Sequence, residues 1–82
     1  MKCYVLSFVG LSNDGDANGY NEVSVHSTLE NAREHLNIMF HAEIENCIDA
    51  GEQYTIQVAE NECSISWAEG EMAILRIFEC NV

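Results

Sequence analysis

Residues 2–9 (KCYVLSFV) carry apolar side chains in two alternating sets: Tyr4, Leu6 and Phe8 on one side, Cys3, Val5 and Val9 on the other. Their β-branched and aromatic content predicts a strand. Residues 10–19 (GLSNDGDANG) gather Gly, Asn and Asp, the composition of a loop. Alternation returns over 20–26 (YNEVSVH) through Val23 and Val25, as in a half-buried strand. From Ser27 the period changes from two to 3.6. At 100° per residue Leu29, Ala32, Leu36, Met39, Phe40 and Cys47 share one face, with Ile44 at its edge. Ser27 followed by Glu30 predicts a capping box, and Gly51 a left-handed stop, so the helix should run to about Ala50.

Period two resumes over 53–59 (QYTIQVA), with Tyr54, Ile56 and Val58 on one side, and over 63–67 (CSISW), with Cys63, Ile65 and Trp67. Asn61 and Glu62 suit a tight hairpin connection, and Glu69 with Gly70 a second turn. The last stretch, 71–80 (EMAILRIFEC), is apolar on both sides: Ala73, Leu75 and Ile77 oppose Met72, Ile74 and Phe78. The predicted class is α+β, an antiparallel sheet of about five strands with one long helix packed on one face, in the order β-β-α-β-β-β. One helix covers one face only. Strands apolar on both sides therefore predict a covered second face, a homodimer or partner interface made by Val5, Val9, Met72, Ile74 and Phe78.

Eighty-two residues make a single domain, 1–82, and a hydrophobic share of 48% excludes disorder despite the charge. Fourteen acidic residues against Lys2, Arg33 and Arg76 give a formal charge of −11. That balance excludes direct binding to nucleic acid or an anionic membrane, because phosphate contacts need Lys and Arg. It favours a basic partner, at the cost of self-repulsion within a small body. Cys3, Cys47, Cys63 and Cys80 form no C-x-x-C pair and no zinc spacing, so they read as small buried hydrophobes with reduced thiols, while their even count leaves disulfides as the alternative. With neither a secretory signal nor a membrane-length apolar run in view, the expected compartment is the cytoplasm.

Opposite the apolar helix face stand Glu30, Glu34, Asn37, His41, Glu45 and Asp49. Side chains three or four residues apart lie about 5–6 Å from one another, a spacing comparable to that of phosphates along a nucleic-acid strand. Glu52, Glu60, Glu62, Glu69 and Glu71 add acid beyond the helix. No lysine balances the stripe, and Glu30 and Glu34 are like-charged neighbours. Glu30, Glu34, Glu45, Asp49 and Glu52 are thus the expected partner-binding set. The expected function is a small non-enzymatic acidic interaction protein, an inhibitor that mimics nucleic acid and blocks a basic site on a larger nucleic-acid-binding protein. In size and composition the chain is similar to compact acidic inhibitors of phages and other mobile elements.

Two alternatives stand beside it. Asp14, Asp16 and Asn18 with Gly19 match the opening of a calcium loop, and Glu22 reaches inward from its ninth position. The match breaks at the twelfth position, where an EF-hand needs glutamate and this chain has Val25. The other alternative is a structural homodimer. No cofactor beyond calcium is expected. The chain shows no nucleophile–base pair, phosphate loop or metal cluster, so no enzymatic activity is expected. His26, His35 and His41 share no metal-ligand spacing. Glu43 falls inside the apolar sector of the helix, where a carboxylate needs a partner, and Arg76 is the expected one. Trp67 reads as core or as an interface anchor.

Overall fold

A computed structural model describes residues 1–11, 21–68 and 70–82. Its elements run β1 (Lys2–Leu11), β2 (Asn21–His26), α1 (Leu29–Asp49), β3 (Tyr54–Ala59), β4 (Glu62–Trp67) and β5 (Glu71–Asn81). The class and order are those the periodicity predicts. All pairings are antiparallel, and the five strands lie in the order β2-β1-β5-β4-β3. Between β2 and β3 the chain must pass from one edge of the sheet to the other, and α1 makes that crossing.

The helix begins one residue later than the capping box implies. Thr28 is the N-cap: its backbone is extended and its Oγ1 accepts a hydrogen bond from the Asn31 amide at 3.1 Å. Ser27 instead lies outside the helix, one residue before this cap. At the other end Gly51 has φ +70°, its amide donates to the Ile48 carbonyl, and the Glu52 amide donates to that of Cys47. These two bonds satisfy carbonyls that the last turn leaves open.

One face of the sheet packs against α1. Leu6 and Phe8 from β1, Cys63 and Ile65 from β4, and Ala73 and Leu75 from β5 meet Leu36, Phe40 and Cys47 of the helix in the core. Ala32 is fully buried, which lets the helix backbone approach the sheet. Met39, Ile44, Trp67 and Ile77 pack around this cluster. The pleat then fixes every other side chain on the far face, which none of the described elements covers.

The helix sits on β1, β4 and β5 and against β2, and β3 projects beyond it. Tyr54, Ile56 and Val58 do share the helix-side face with Trp67, Ile65 and Cys63, as their alternation predicts. All six residues of β3 are nonetheless exposed, Val58 at 72%. A single helix is narrower than five strands spaced about 4.8 Å apart, so an edge is left bare.

The expected Glu43–Arg76 pair does not form. Glu43 lies on the helix side of the sheet, whereas Arg76 alternates with Ile74 and Phe78 on the opposite face. Arg76 donates instead from Nε to Glu62 Oε1 at 2.7 Å, across the β4–β5 register.

Candidate functional site

Two surfaces of opposite character emerge, one on each side of the sheet. On the helix layer, Glu30, Glu34, Asn37, His41, Glu45 and Asp49 are all exposed, and Glu52 is exposed just past the helix end. Because α1 is a continuous helix of 21 residues, their backbone positions are fixed relative to one another. The stripe is not an even row. Glu30 and Glu34 form one acidic pair and Glu45 and Asp49 another, separated by about 16 Å at 1.5 Å per residue. Asn37, His41 and the 62%-exposed Ile38 occupy the gap. Ile38 falls outside the apolar sector of the helical wheel, and sequence periodicity alone did not flag it as part of this surface.

The cations do not reach this stripe. Lys2 Nζ pairs with Glu79 Oε1 at 3.1 Å, Arg33 Nη2 with Glu60 Oε1 at 3.4 Å, and Arg76 with Glu62. Arg33 is the only Lys or Arg on α1, and it turns toward the β3–β4 turn, where its Nε also donates to Asn61 Oδ1 at 3.0 Å. All three Lys and Arg side chains are therefore held by acids elsewhere in the sheet or its turns. The last helical turn holds Asp49 and no basic residue. A carboxylate there faces the negative end of the helix dipole, an arrangement unfavourable by about 0.3–1 kcal/mol.

The opposite face has another chemistry. The register places Val23 and Val25 of β2 beside Ser7 and Val5 of β1, which in turn lie beside Arg76 and Phe78 of β5, with Val9 opposite Ile74 and Leu11 opposite Met72. The expected interface residues Val5, Val9, Met72, Ile74 and Phe78 are thus brought onto one face that no described element covers. Val23 and Val25, 67% and 66% exposed, extend it to the sheet edge. Toward β4 and β3 the same face turns polar, through Ser64, Ser66, Thr55 and Gln57. Its one described carboxylate is Glu62, neutralised by Arg76.

A groove of about 430 Å³ opens where α1 and β3 diverge. Leu36, Phe40, Val58, Cys63 and Ile77 line it, and the Arg33–Glu60 pair stands at its mouth. Burial, with a smaller push from Glu62, raises the Cys63 thiol to about 11. Burial likewise raises that of Cys47, assisted by Glu43 and Glu52. These two thiols fit the expectation of small buried hydrophobes. Cys3 and Cys80 do not: they are half-buried on the open face and directly opposite one another.

Asp14, Asp16 and Asn18 lie outside the described residues, as does Glu69. Glu22 is exposed on β2, opposite Phe8 on the helix side. Among the described residues no three His, Cys, Asp or Glu side chains cluster as metal ligands. The fold does bring His26 and His35 together, with ring centroids 5.3 Å apart, while Ser24 Oγ lies 2.8 Å from His26 Nε2. Their separation in sequence gave no sign of this pairing across β2 and α1. Among the described residues no helix is long and apolar enough to cross a membrane. The chain matches no family model, no curated protein and no solved structure.

Proposed function

We propose that this chain is a small non-enzymatic interaction protein whose acidic helix face enters a basic site on a larger protein, one that otherwise holds nucleic acid, and inhibits it by imitation. The observation that carries this reading is the disposition of charge. Glu30, Glu34, Glu45 and Asp49 stand exposed on one rigid helix while Lys2, Arg33 and Arg76 are engaged elsewhere. A fixed array of carboxylates raises the encounter rate with a basic groove and displaces the counterions such a groove holds. Two acidic pairs separated by a short neutral stretch fit a groove with two basic clusters better than a continuous basic track.

The test is capture of purified nucleic-acid-binding proteins by the immobilised chain, with duplex DNA as competitor. Binding should fall with salt and with added DNA, and the triple variant Glu30→Lys, Glu34→Lys, Glu45→Lys should lose it. Capture that survives the triple reversal removes the helix from the contact surface.

A second reading, a homodimer through the open face, is favoured by one observation. Two bodies of charge −11 repel, and the open face is where the described carboxylates are lacking apart from the neutralised Glu62. Val5, Val9, Met72, Ile74 and Phe78 would form the contact, leaving both helices outward. Light scattering across a dilution series tests it, and a strictly monomeric mass at high concentration excludes it.

A further inference from the structure

We propose that Cys3 and Cys80 form a thiol–disulfide exchange site that reversibly staples the first strand to the last. The two residues are exact register partners in the β1–β5 ladder, and both side chains stand on the open face at its terminal end, beyond Val5 and Phe78. The kind of pairing follows from the chain ends. The Met1 amine donates to the Val82 carbonyl at 3.1 Å and the Val82 amide donates to the Met1 carbonyl at 2.7 Å. Met1 and Val82 are therefore a hydrogen-bonded pair, and since such pairs alternate along the ladder, Cys3 and Cys80, two residues further in, are another.

Hydrogen-bonded partners have Cα atoms about 5.5 Å apart, within the range that a disulfide spans. Their Cβ atoms lie toward the wide end of the cross-strand range of about 4.5–5.5 Å, so the bridge closes with a small inward shift of the strands. A bond made in that way, half exposed, is readily reopened by thiols, which suits reversible use. The other two cysteines do not compete. Cys47 and Cys63 are buried, and burial holds their thiols protonated at neutral pH.

The co-reactant is a small-molecule disulfide of the oxidised glutathione class. The thiolate of one cysteine attacks it, forming a mixed disulfide and releasing one equivalent of thiol. The facing cysteine, losing its proton, attacks the protein sulfur of that adduct and expels the second equivalent. Two protein thiols become one S–S bond, and the small disulfide takes up the two electrons and two protons as two thiols.

Incubating the full chain with oxidised glutathione, quenching with acid and measuring intact mass tests this. The wild type should lose about 2 Da without retaining an adduct, and peptide mapping should join Cys3 to Cys80. Dithiothreitol should restore the mass, and the stapled form should melt higher than the reduced one, because the crosslink closes nearly the whole chain. Cys3→Ser and Cys80→Ser should each stop at a single stable glutathione adduct. Stable adducts on both cysteines of the wild type, a Cys47–Cys63 link, a lower melting temperature, or no reaction would each overturn the proposal.

Discussion

The two faces of the sheet have the same strands behind them and share almost nothing else. On the helix side the strands bury Leu6, Ile65 and Leu75 completely, and the helix turns its acids outward above them. On the open side Val23, Val25 and Phe78 remain exposed, and Glu62 and Arg76 cancel. Among the described residues the negative charge is therefore sorted by layer. Sorting concentrates repulsion among the helix acids, a cost that an even distribution would lower. It also leaves one surface on which an apolar contact forms without desolvating unpaired charge. A domain organised in this way presents two surfaces of different chemistry on opposite sides of the sheet.

Truncating one isoleucine on each side should separate the two faces most strongly. Ile65→Ala, in the fully buried helix-side core, should cost about 2–5 kcal/mol in urea unfolding. Ile74→Ala, half-buried on the open face, should cost well under half of that in dilute protein. If the Ile74→Ala penalty grows with protein concentration, a second copy covers the open face and the two sides are less different than they look.

The thiols give the next largest contrast. Cys63, on the helix side, has its folded pKa pushed up to about 11 from 9.0. Such a shift stabilises the fold fully below about pH 9 and is lost as pH rises through the folded value. A loss on the order of 2 kcal/mol is expected across that window. Cys63→Ala should flatten the alkaline stability profile by that amount, and an unchanged profile assigns the alkaline loss to other groups.

Two smaller effects complete the series. Ala68, in the β4–β5 turn, holds a left-handed φ of 48° and belongs to neither face. Ala68→Gly should relieve that strain and raise stability by up to about 1 kcal/mol, visible as a higher urea midpoint. Asp49→Asn should stabilise by about 0.3–1 kcal/mol by removing a charge from the wrong end of the helix dipole. If it also weakens partner capture, the unfavourable charge is there for binding; if capture is untouched, Asp49 lies outside the contact.

The elements themselves were legible in the sequence because each has a clean period: 3.6 from Ala32 through Cys47, two from Tyr54 through Val58. The dual apolar character of β1 and β5 was legible too; both are interior strands, but so is β4, whose open face carries Ser64 and Ser66. What periodicity cannot carry is position across the sheet. Tyr54, Ile56 and Val58 point to the helix side, but only the strand order shows that the helix stops short of them. The Cys3–Cys80 and His26–His35 juxtapositions depend on register between distant segments, and no local pattern encodes that. Arg76 was within reach: it alternates with Ile74 and Phe78, so parity alone places it away from Glu43. The acidic stripe was read from the wheel as a row, and the wheel, which collapses the helix along its axis, hides the gap between Glu34 and Glu45.

The middle strand of the sheet is β5, the last element in the chain, with β1, the first, beside it. Without β5 the remaining strands are two separate hairpins, β1–β2 and β3–β4, joined only by the helix. During synthesis neither half gains its neighbour until β5 has emerged, so the core closes only once all the other elements have been made. Such a long-range pairing makes folding slow for a domain of this size. It also means that removing β5 should abolish the domain, whereas disrupting the pairing of β3 at the sheet's edge would only narrow it.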